Sequence, residues 1–336
     1  MRYRSIQTPI LVLALIGILA LPGHTAEPVT SRDELSRELI TASAQCHIDS
    51  MTRLLNSGAD PNFYDNHYTP LVATLRTGGV PEATWFEAIE ILLKHGADPN
   101  TLCQGYSPLW VADGIGWPNN PADVPPYTLR SRVLPCVQLL ITHGADVNIR
   151  SKGPSPLTDA LQVEDVELAR LYIQHGANIN QVDLSGRTAL EVAAARTPAM
   201  VPTLLQLGAD PNRAPSGNRT ALMAAVENRD RKTVQLLLKH GATVDAVGPD
   251  GVTALMVIGD VSPVIAMKKI NIYGNANRDV SLCKILLAAG ANILAKDTRG
   301  MTAFDHASGN GRELLANYLS EHMPNHPHHA PYIVVP

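Results

Sequence analysis

The sequence predicts an all-α solenoid of about eight helix-turn-helix units linked by short β-hairpin fingers. Three observations predict it. A Gly-Ala phrase recurs down the chain, and the steps between its glycines are 38, 48, 32, 32, 33 and 49 residues. A capped helix start follows each phrase, and an apolar stretch that ends a second helix precedes it. A base period near 33 residues with a few enlarged units is typical of stacked repeats, which form one elongated domain.

The Gly-Ala phrase is predicted to end each unit. Glycine adopts the left-handed conformation of a helix C-terminus without steric cost, so each phrase glycine should stop a second helix. Five copies continue as Asp or Asn, any residue, then Asn, and they begin at Gly58, Gly96, Gly144, Gly176 and Gly208. Looser copies begin at Gly241 and Gly290. The Asp and Asn side chains are expected to make local turn hydrogen bonds.

The first helix of a unit is predicted to begin at a Thr or Ser that is followed by Pro or Ala and then by Leu or Phe. The hydroxyl caps free backbone N–H groups, and proline is tolerated at the first helical position. Seven copies begin at Thr69, Ser107, Ser155, Thr188, Thr220, Thr253 and Thr302. The glycine-rich residues between a Gly-Ala phrase and the next helix start should form a tight finger with a turn at its tip.

This order of motifs resembles the ankyrin repeat family, in which Thr-Pro-Leu opens the first helix, Leu-Leu closes the second, and Gly-Ala-Asp-x-Asn follows. Residues 220–242 keep the pattern best, and the resemblance covers about residues 31–322. Its units fall at about 31–62, 63–100, 101–148, 149–180, 181–212, 213–245, 246–294 and 295–322. The first and last units depart from the pattern and are predicted to be caps.

Three units carry extra length between their two helices, with large insertions at about 113–133 and 259–280. Insertions at one position per repeat emerge along one edge of a solenoid, which is often functional. The first insertion holds Trp117 and Tyr127, and Trp85 follows a smaller one. Two interpretations stay open: a proline-stiffened aromatic hot spot for a protein partner, or a loop that buries its own aromatic rings.

The second candidate surface is the concave face formed by the fingers and first helices, the usual partner-binding face of ankyrin repeat proteins. Tyr64, Tyr68, Tyr106 and Trp110 would form an aromatic patch there, a composition typical of interface cores. The alternative for each residue is an ordinary solvated finger position. The candidate partner-binding residues are Tyr64, Tyr68, Tyr106, Trp110, Trp117, Tyr127 and Trp85.

No residue pattern predicts catalysis, and no cofactor is predicted. The sequence has no Gly-x-Ser-x-Gly, no His-Glu-x-x-His and no phosphate-binding glycine loop. An enzyme built on the second insertion or on the tail is the minor alternative. Weak metal candidates occur at the end of the chain, where residues 323–336 form a His/Pro-rich tail. They are His322, His326, His328 and His329, and a disordered end is the competing interpretation.

The N-terminal residues 1–26 predict a secretory signal peptide. Arg2 and Arg4 give a basic start, and an apolar run of about a dozen residues precedes a candidate cleavage site at Ala26. The run is short for a membrane span. We therefore expect a periplasmic protein of a bacterial envelope, with a membrane tether through an uncleaved signal as the alternative.

In that compartment disulfides are possible, but we expect the four cysteines to be mostly buried free thiols, with Cys103 and Cys136 as the one pair to test.

The charge balance argues against nucleic acid as a partner. The chain has 27 basic and 31 acidic residues, a net charge of −4, and loss of Arg2 and Arg4 with the signal makes it −6. No basic stripe is present.

Taken together, these features of the sequence predict a monomeric, non-catalytic protein-binding scaffold that uses its concave face and insertion edge. An inhibitor or immunity protein of a toxin or enzyme is the narrower form, and a stress-related accessory or metal-binding protein is the alternative.

Overall fold

The structure is a computed structural model that describes residues 31–113, 126–214, 219–260 and 276–324. Consecutive helices pack in pairs, and most first helices also contact the first helix of the next pair. The pairs are α1 (Arg32–Ser43) with α2 (Ile48–Asn56), α3 (Pro70–Leu75) with α4 (Glu82–Lys94), α5 (Pro108–Ala112) with α6 (Pro126–Thr142), α7 (Pro156–Gln162) with α8 (Val166–Gln174), α9 (Ala189–Arg196) with α10 (Val201–Gln206), α11 (Ala221–Glu227) with α12 (Arg231–Lys239), α13 (Ala254–Gly259) with α14 (Ala276–Ala288), and α15 (Ala303–Gly309) with α16 (Glu313–His322). The predicted helical repeat architecture is confirmed.

The β-hairpin fingers are not confirmed. The described ranges contain no β-strand, and their bridge pairs are two isolated ones, Cys103 with Tyr106 and Val182 with Thr188. The fingers are instead shaped by turns in which side chains bond to the backbone. Asp65 Oδ1, for example, accepts hydrogen bonds at 2.8 Å from the backbone N–H groups of both His67 and Tyr68.

The first helices begin at the predicted hydroxyl residues. Ser107 Oγ accepts a hydrogen bond from the Trp110 backbone N–H at 3.2 Å, and Thr188 Oγ1 accepts one from Glu191 at the same distance. The same cap forms at Thr69, Ser155, Thr220 and Thr302. Such a cap contributes about 1 kcal/mol to helix stability. Thr253 is an exception, because its buried hydroxyl has no hydrogen-bond partner among the described residues.

The phrase glycines end the second helices, as the sequence predicts. All seven have φ between +83° and +93°, the left-handed region in which a side chain is strained. A Cβ atom added to Gly144 or Gly208 would meet no atom within 4 Å. The backbone conformation, rather than close packing, therefore requires glycine at these stops.

The Asn that ends each Gly-Ala phrase joins its unit to the next one. Asn148 Nδ2 donates to the Gly176 carbonyl at 3.0 Å, and Asn148 Oδ1 accepts from the Asn178 backbone N–H at 2.6 Å. Four further residues make the same pair of bonds to the following unit: Asn62, Asn100, Asn180 and Asn212. We call these five residues the asparagine ladder. The local turn bonds predicted from sequence also form, for instance from the Asn148 N–H to Asp146 Oδ1 at 2.8 Å.

The ladder loses one of its two bonds where Asp245 replaces Asn. Asp245 accepts from the Asn292 backbone N–H at 2.9 and 3.1 Å. An ionised carboxylate has no proton to donate, so it cannot bond to the Gly290 carbonyl as an amide would. This junction spans the unit that carries the second insertion.

The apolar core runs continuously through the stack and contains two buried acids near the start of the first insertion. Tyr172 donates its hydroxyl to Asp113, with oxygen–oxygen distances of 2.9 and 3.1 Å, and both residues are buried. Asp159 is also buried, and its Oδ2 has no hydrogen-bond partner in the described part of the chain. Burial raises the pKa of Asp159 to about 6, although the Arg187 guanidinium opposes the shift.

The four cysteines are buried free thiols, and Cys103 and Cys136 do not form the one disulfide that the sequence left open. Cys103 lies in a finger and Cys136 lies on α6, where its side chain is fully enclosed. Burial raises the pKa of all four thiols, to about 12 for Cys283. They are therefore poor nucleophiles and metal ligands at neutral pH.

A network of charged side chains holds both ends of the second insertion, about 259–280. Near its end, Asp279 accepts hydrogen bonds from Arg229 Nε at 2.9 Å and from the Arg312 guanidinium. At its start, Asp260 Oδ1 lies 2.7 Å from His306 Nδ1. Residues 261–275 of this insertion lie outside the described residues, as do residues 114–125 of the first one.

We predict that the amide donor of the ladder stabilises the stack. Asn180→Asp keeps the acceptor but removes the donor to the Gly208 carbonyl, so the free energy of unfolding should fall by about 1 kcal/mol. Asp245→Asn should supply the missing donor to Gly290 and raise the free energy of unfolding by a similar amount. Urea denaturation followed by circular dichroism measures both. Asn317→Asp, on the exposed face of α16, is the control, and an equal loss in that variant would contradict the prediction.

We predict that ionisation of Asp159 destabilises the fold. Its pKa in the folded state, about 6, lies above the usual 3.8, so its contribution to stability is fully present below pH ~4 and is lost as the pH rises through ~6. The loss amounts to about 3 kcal/mol at pH 7. Asp159→Asn should remove this pH-dependent loss because asparagine does not ionise. Urea denaturation should therefore show that the variant becomes more stable relative to wild type as the pH rises from ~4 to ~7.

Asp210→Asn is the matched control for that experiment, because the equivalent positions of two other units, 178 and 292, already carry Asn. Its stability relative to wild type should change little over the same pH range. A difference between Asp159→Asn and wild type that does not depend on pH would contradict the prediction.

Candidate functional site

The best-defined part of the predicted aromatic patch is a stack of two rings. Tyr106 is the last finger residue before the Ser107 cap, and Trp110 lies in the first turn of α5. This spacing of four residues brings the ring centroids to 4.2 Å with an interplanar angle of 20°. Both side chains are half-buried, with one side of Trp110 packed against the core. We call Tyr106 and Trp110 the aromatic stack.

Two glycines and a lysine position the aromatic stack against the next finger. A Cβ atom at Gly153 would lie 2.5 Å from Trp110 Nε1, so only glycine leaves room for the indole. The methylene groups of Lys152 lie across Gly105, where a Cβ atom would be 2.7 Å from them. The Lys152 backbone N–H donates to the Gly105 carbonyl at 2.7 Å and fixes the two fingers to each other. The exposed lysine is therefore held close to the stack.

A groove lies beside Tyr68 in the preceding units. It has a volume of about 320 Å³ and is lined by Ile40, Ala44, Tyr68, Ala73, Arg76, Thr77 and Gly78. The Arg76 guanidinium lies over the Tyr68 ring, 4.7 Å from its centroid. Arg37 on α1 lies over Phe63 in the same way at 5.7 Å. We call this feature the Tyr68 groove.

The four predicted patch residues thus divide into smaller features. Tyr106 and Trp110 stack together, whereas the neighbours described for the Tyr68 ring are Arg76 and His67, whose ring centroid is 6.3 Å away. Tyr64 is an exposed finger residue with 41% of its surface accessible. A sequence argument could place all four on one face, but it could not determine which rings meet.

Trp85 lies in the core and is removed from the candidate surface. Its surface is 4% exposed, its Nε1 donates to the Thr74 carbonyl at 2.8 Å, and its ring packs edge-on against Phe86 at 5.2 Å. The reason is helix periodicity, since Trp85 shares the buried face of α4 with Ile89 and Leu92. Trp117 and the side chain of Tyr127 lie outside the described residues, so their predicted role stays a prediction.

The fingers of the later units carry arginines that are already paired with carboxylates of the chain. Arg187 bonds to buried Asp183 at 3.0 Å. Arg219 bonds to Glu191 at 2.8 Å and also to Glu227. Sequence reasoning missed these pairs: the first lies within one finger, whereas the Arg219 pairs join a finger to the first helices beside it. They leave less free positive charge on this half of the face.

Arg299 in the last finger is paired in the same way, with Asp297 Oδ2 at 3.0 Å. Burial alone would raise the pKa of Asp297. Hydrogen bonds from the Met301 and Arg299 backbone N–H groups, from the Arg299 side chain and from His306 outweigh burial and lower that pKa to about 2. Asp297 is therefore ionised at neutral pH and neutralises Arg299.

The described residues show no group of three or more His, Cys, Asp and Glu side chains that could hold a metal ion. His306 is buried with Nδ1 2.7 Å from Asp260 and Nε2 3.1 Å from Asp297, so both ring nitrogens are occupied within the fold. His322 Nδ1 lies 2.8 Å from the Tyr318 carbonyl oxygen. His326, His328 and His329 lie outside the described residues, as does the predicted signal peptide, 1–26.

In the portion of the chain that the structure describes, no helix has the length and apolar character needed to cross a membrane.

Comparison with known families identifies two stretches of the chain. A family model described as ankyrin repeats in three copies matches residues 129–215, and a single ankyrin repeat matches residues 217–249. A search of curated proteins finds no significant match. The matched stretches include three residues of the asparagine ladder, Asn148, Asn180 and Asn212, and the helix starts at Ser155, Thr188 and Thr220. Residues 129–215 and 217–249 of the chain are therefore ankyrin repeats.

Proposed function

We propose that this protein is a non-catalytic scaffold that binds a protein partner through the face formed by its fingers and first helices. Ankyrin repeats generally mediate protein–protein interactions. The observation that carries the proposal is the aromatic stack, in which the ring centroids of Tyr106 and Trp110 lie 4.2 Å apart. Both rings are partly exposed, and the finger that carries Tyr106 is hydrogen-bonded to the next finger. Tyr and Trp are enriched among the residues that dominate protein interfaces.

Rigidity makes this face suitable for binding. The Trp110 ring is held by Gly153, and the fingers of these units are fixed by Asn100 and by the bond from Lys152 to Gly105. A surface that is already ordered loses little conformational entropy when a partner binds.

The proposed location is the periplasm of a bacterium, reached through the signal peptide predicted at residues 1–26. Retention by an uncleaved signal is the alternative. In that compartment the narrower role we favour is an inhibitor or immunity protein that covers a toxin or enzyme, because a rigid face suits tight, one-to-one binding. A stress-related accessory role, or metal binding by the His/Pro-rich tail, is the alternative, and we propose that the protein acts as a monomer.

We predict that removal of the Tyr64 and Tyr106 rings weakens partner binding without unfolding the solenoid. Tyr64→Ser and Tyr106→Ser should together weaken binding by at least roughly tenfold, because each removes an aromatic contact at the interface. The melting temperature should stay within about 2 °C of wild type, since neither ring lies in the core. The mature chain from Glu27 onward would be immobilised, a partner captured from an envelope extract, and its affinity measured by surface plasmon resonance.

Tyr318→Ser is the matched control, because Tyr318 is a half-buried ring on α16 at the opposite end of the stack. Its affinity for the captured partner should equal that of wild type. A partner that binds the double variant as tightly as wild type would place the interface elsewhere on the molecule and would contradict the proposal.

A further inference from the structure

Three buried polar residues interrupt the apolar core between the third and fourth units. Tyr172 lies four residues before a phrase glycine, where all the other phrases have Leu. Asp113 and Asp159 lie six and four residues after their helix-start hydroxyls, at positions that are apolar in most other units. Leu75, Leu161 and Val226 correspond to Asp113, and Ala73 and Ala224 correspond to Asp159. A buried acid costs stability, so such departures from a repeat pattern are expected at functional positions.

The two acids and the tyrosine meet at this junction. The Tyr172 hydroxyl on α8 donates to Asp113, which ends α5, with oxygen–oxygen distances of 2.9 and 3.1 Å. Burial raises the pKa of Asp113 well above its usual value, and the nearby charge of Asp159 on α7 raises it further. Asp159 Oδ2 has no hydrogen-bond partner in the ranges that the structure describes. The junction therefore contains two buried acids, of which only one can ionise without a large cost.

Little positive charge is available to stabilise an ionised Asp159. The Arg187 guanidinium favours the ionised form, but it is bonded to Asp183 at 3.0 Å and to Gln162 at 3.2 Å. Glu191 on α9 is paired with Arg219. The titratable groups of α6 and α8 that interact with the acid pair are Cys136, Asp165 and Tyr172. None of these three is a cation, so water must solvate an ionised Asp159.

The aromatic stack spans the same junction. Trp110 lies on α5 three residues before Asp113, and its indole packs against Gly153 of the finger that leads into α7. Helix α5 packs against α3 and α6, whereas its contact with α7 is slight. A helix of five residues moves as one piece, so a displacement at Asp113 also displaces Trp110.

We propose that partner binding at the aromatic stack is linked to protonation of the Asp113–Asp159 pair. With the pair protonated, α5 stays against the fourth unit and Trp110 is seated on Gly153. When Asp159 ionises, water enters the junction, α5 moves away from the fourth unit, and the stack loses its support. The inference rests on the proposed function, because it describes the regulation of the same face.

The direction of this linkage follows from burial. Burial raises the pKa of Asp159 from the usual 3.8 to about 6, against the opposing effect of Arg187. The seated stack is therefore fully present below pH ~4 and is lost as the pH rises through ~6, where the acid of the folded state ionises. The partner should bind more tightly at mildly acidic pH than above neutrality.

The indole N–H of Trp110 reports on the stack without a partner. Its resonance in a proton–nitrogen correlation spectrum of the mature chain, assigned with Trp110→Phe, should move with a midpoint near pH 6. Asp159→Asn should keep the resonance at its low-pH position throughout. Asp159→Ala gives a second test if Asn disturbs folding, because two other units already carry Ala at this position. Asp210→Asn is the matched control and should titrate like wild type.

Peptides test the link to binding. Dodecapeptides that lack Asp, Glu and His would be selected by phage display against the immobilised mature chain at pH ~5 and measured by fluorescence anisotropy. Wild type should bind them roughly tenfold or more tightly at pH ~5 than at pH ~8, because binding and protonation favour the same arrangement. The affinity of Asp159→Asn should change little over this range.

Three results would overturn the inference: a Trp110 resonance that does not move with pH, one that moves equally in Asp159→Asn, or a peptide affinity that falls with pH in Asp159→Asn as it does in wild type. The Tyr64→Ser and Tyr106→Ser double variant separates the two proposals. Peptides that need these tyrosines but bind equally at both pH values would contradict only the proton linkage. Peptides that bind independently of the tyrosines would contradict the proposed binding face itself.

Discussion

The structure depends on one repeated contact, the two-bond bridge from the side-chain amide of each ladder asparagine to the backbone of the next unit. Nδ2 donates to the carbonyl of a phrase glycine, and Oδ1 accepts from an N–H two residues later, as at Asn148. Each bond is worth only about 1 kcal/mol net. Its effect is geometric, because it sets the rotation and spacing of one unit on another. A helix pair cannot bury its apolar surfaces alone, so correct stacking and core formation are the same event.

The ladder also explains how short turns without strands can be ordered enough to form the proposed binding surface. The fingers gain order from side-chain contacts between units, such as Lys152 with Gly105 and Trp110 with Gly153. Later in the chain, carboxylate–arginine pairs such as Asp183 with Arg187 order the fingers and neutralise them. In the earlier units cations lie over aromatic rings instead, as Arg37 does over Phe63. One architecture thus orders its later fingers with ion pairs and its earlier fingers with aromatic and backbone contacts.

Much of the fold could be predicted from the sequence, because its signals are local. A glycine forced to positive φ, as at Gly144, and a hydroxyl cap, as at Ser107, each act within a few residues. The ladder was missed because its bonds join residues 28 or more positions apart, such as Asn148 and Gly176. The assignment of Trp85 to the surface failed for a related reason. Aromatic content suggested an interface, whereas the orientation of α4 places that ring in the core.

The candidate site shows the same difference between local signals, which can be predicted from the sequence, and contacts between distant residues, which cannot. The sequence placed Tyr106 and Trp110 on one face, but the close approach of Trp110 depends on Gly153, one of the glycines in the predicted finger turns. The structure instead gives Gly153 no positive φ and packs the indole against its Cα. Charge pairing across units, as between Arg219 and Glu191, is likewise visible only in three dimensions.

Amide hydrogen exchange, resolved by residue, would test whether the ladder orders the stack. The backbone N–H groups of Asp98, Asp146, Asn178 and Asp210 lie in exposed turns outside the helices, yet each donates to a ladder asparagine of the preceding unit. If the ladder sets the stacking, these amides should exchange as slowly as those of the neighbouring helices, because both open only when units separate. Exchange at the rate of an unprotected loop would contradict this account and leave the apolar core as the sole determinant of stacking.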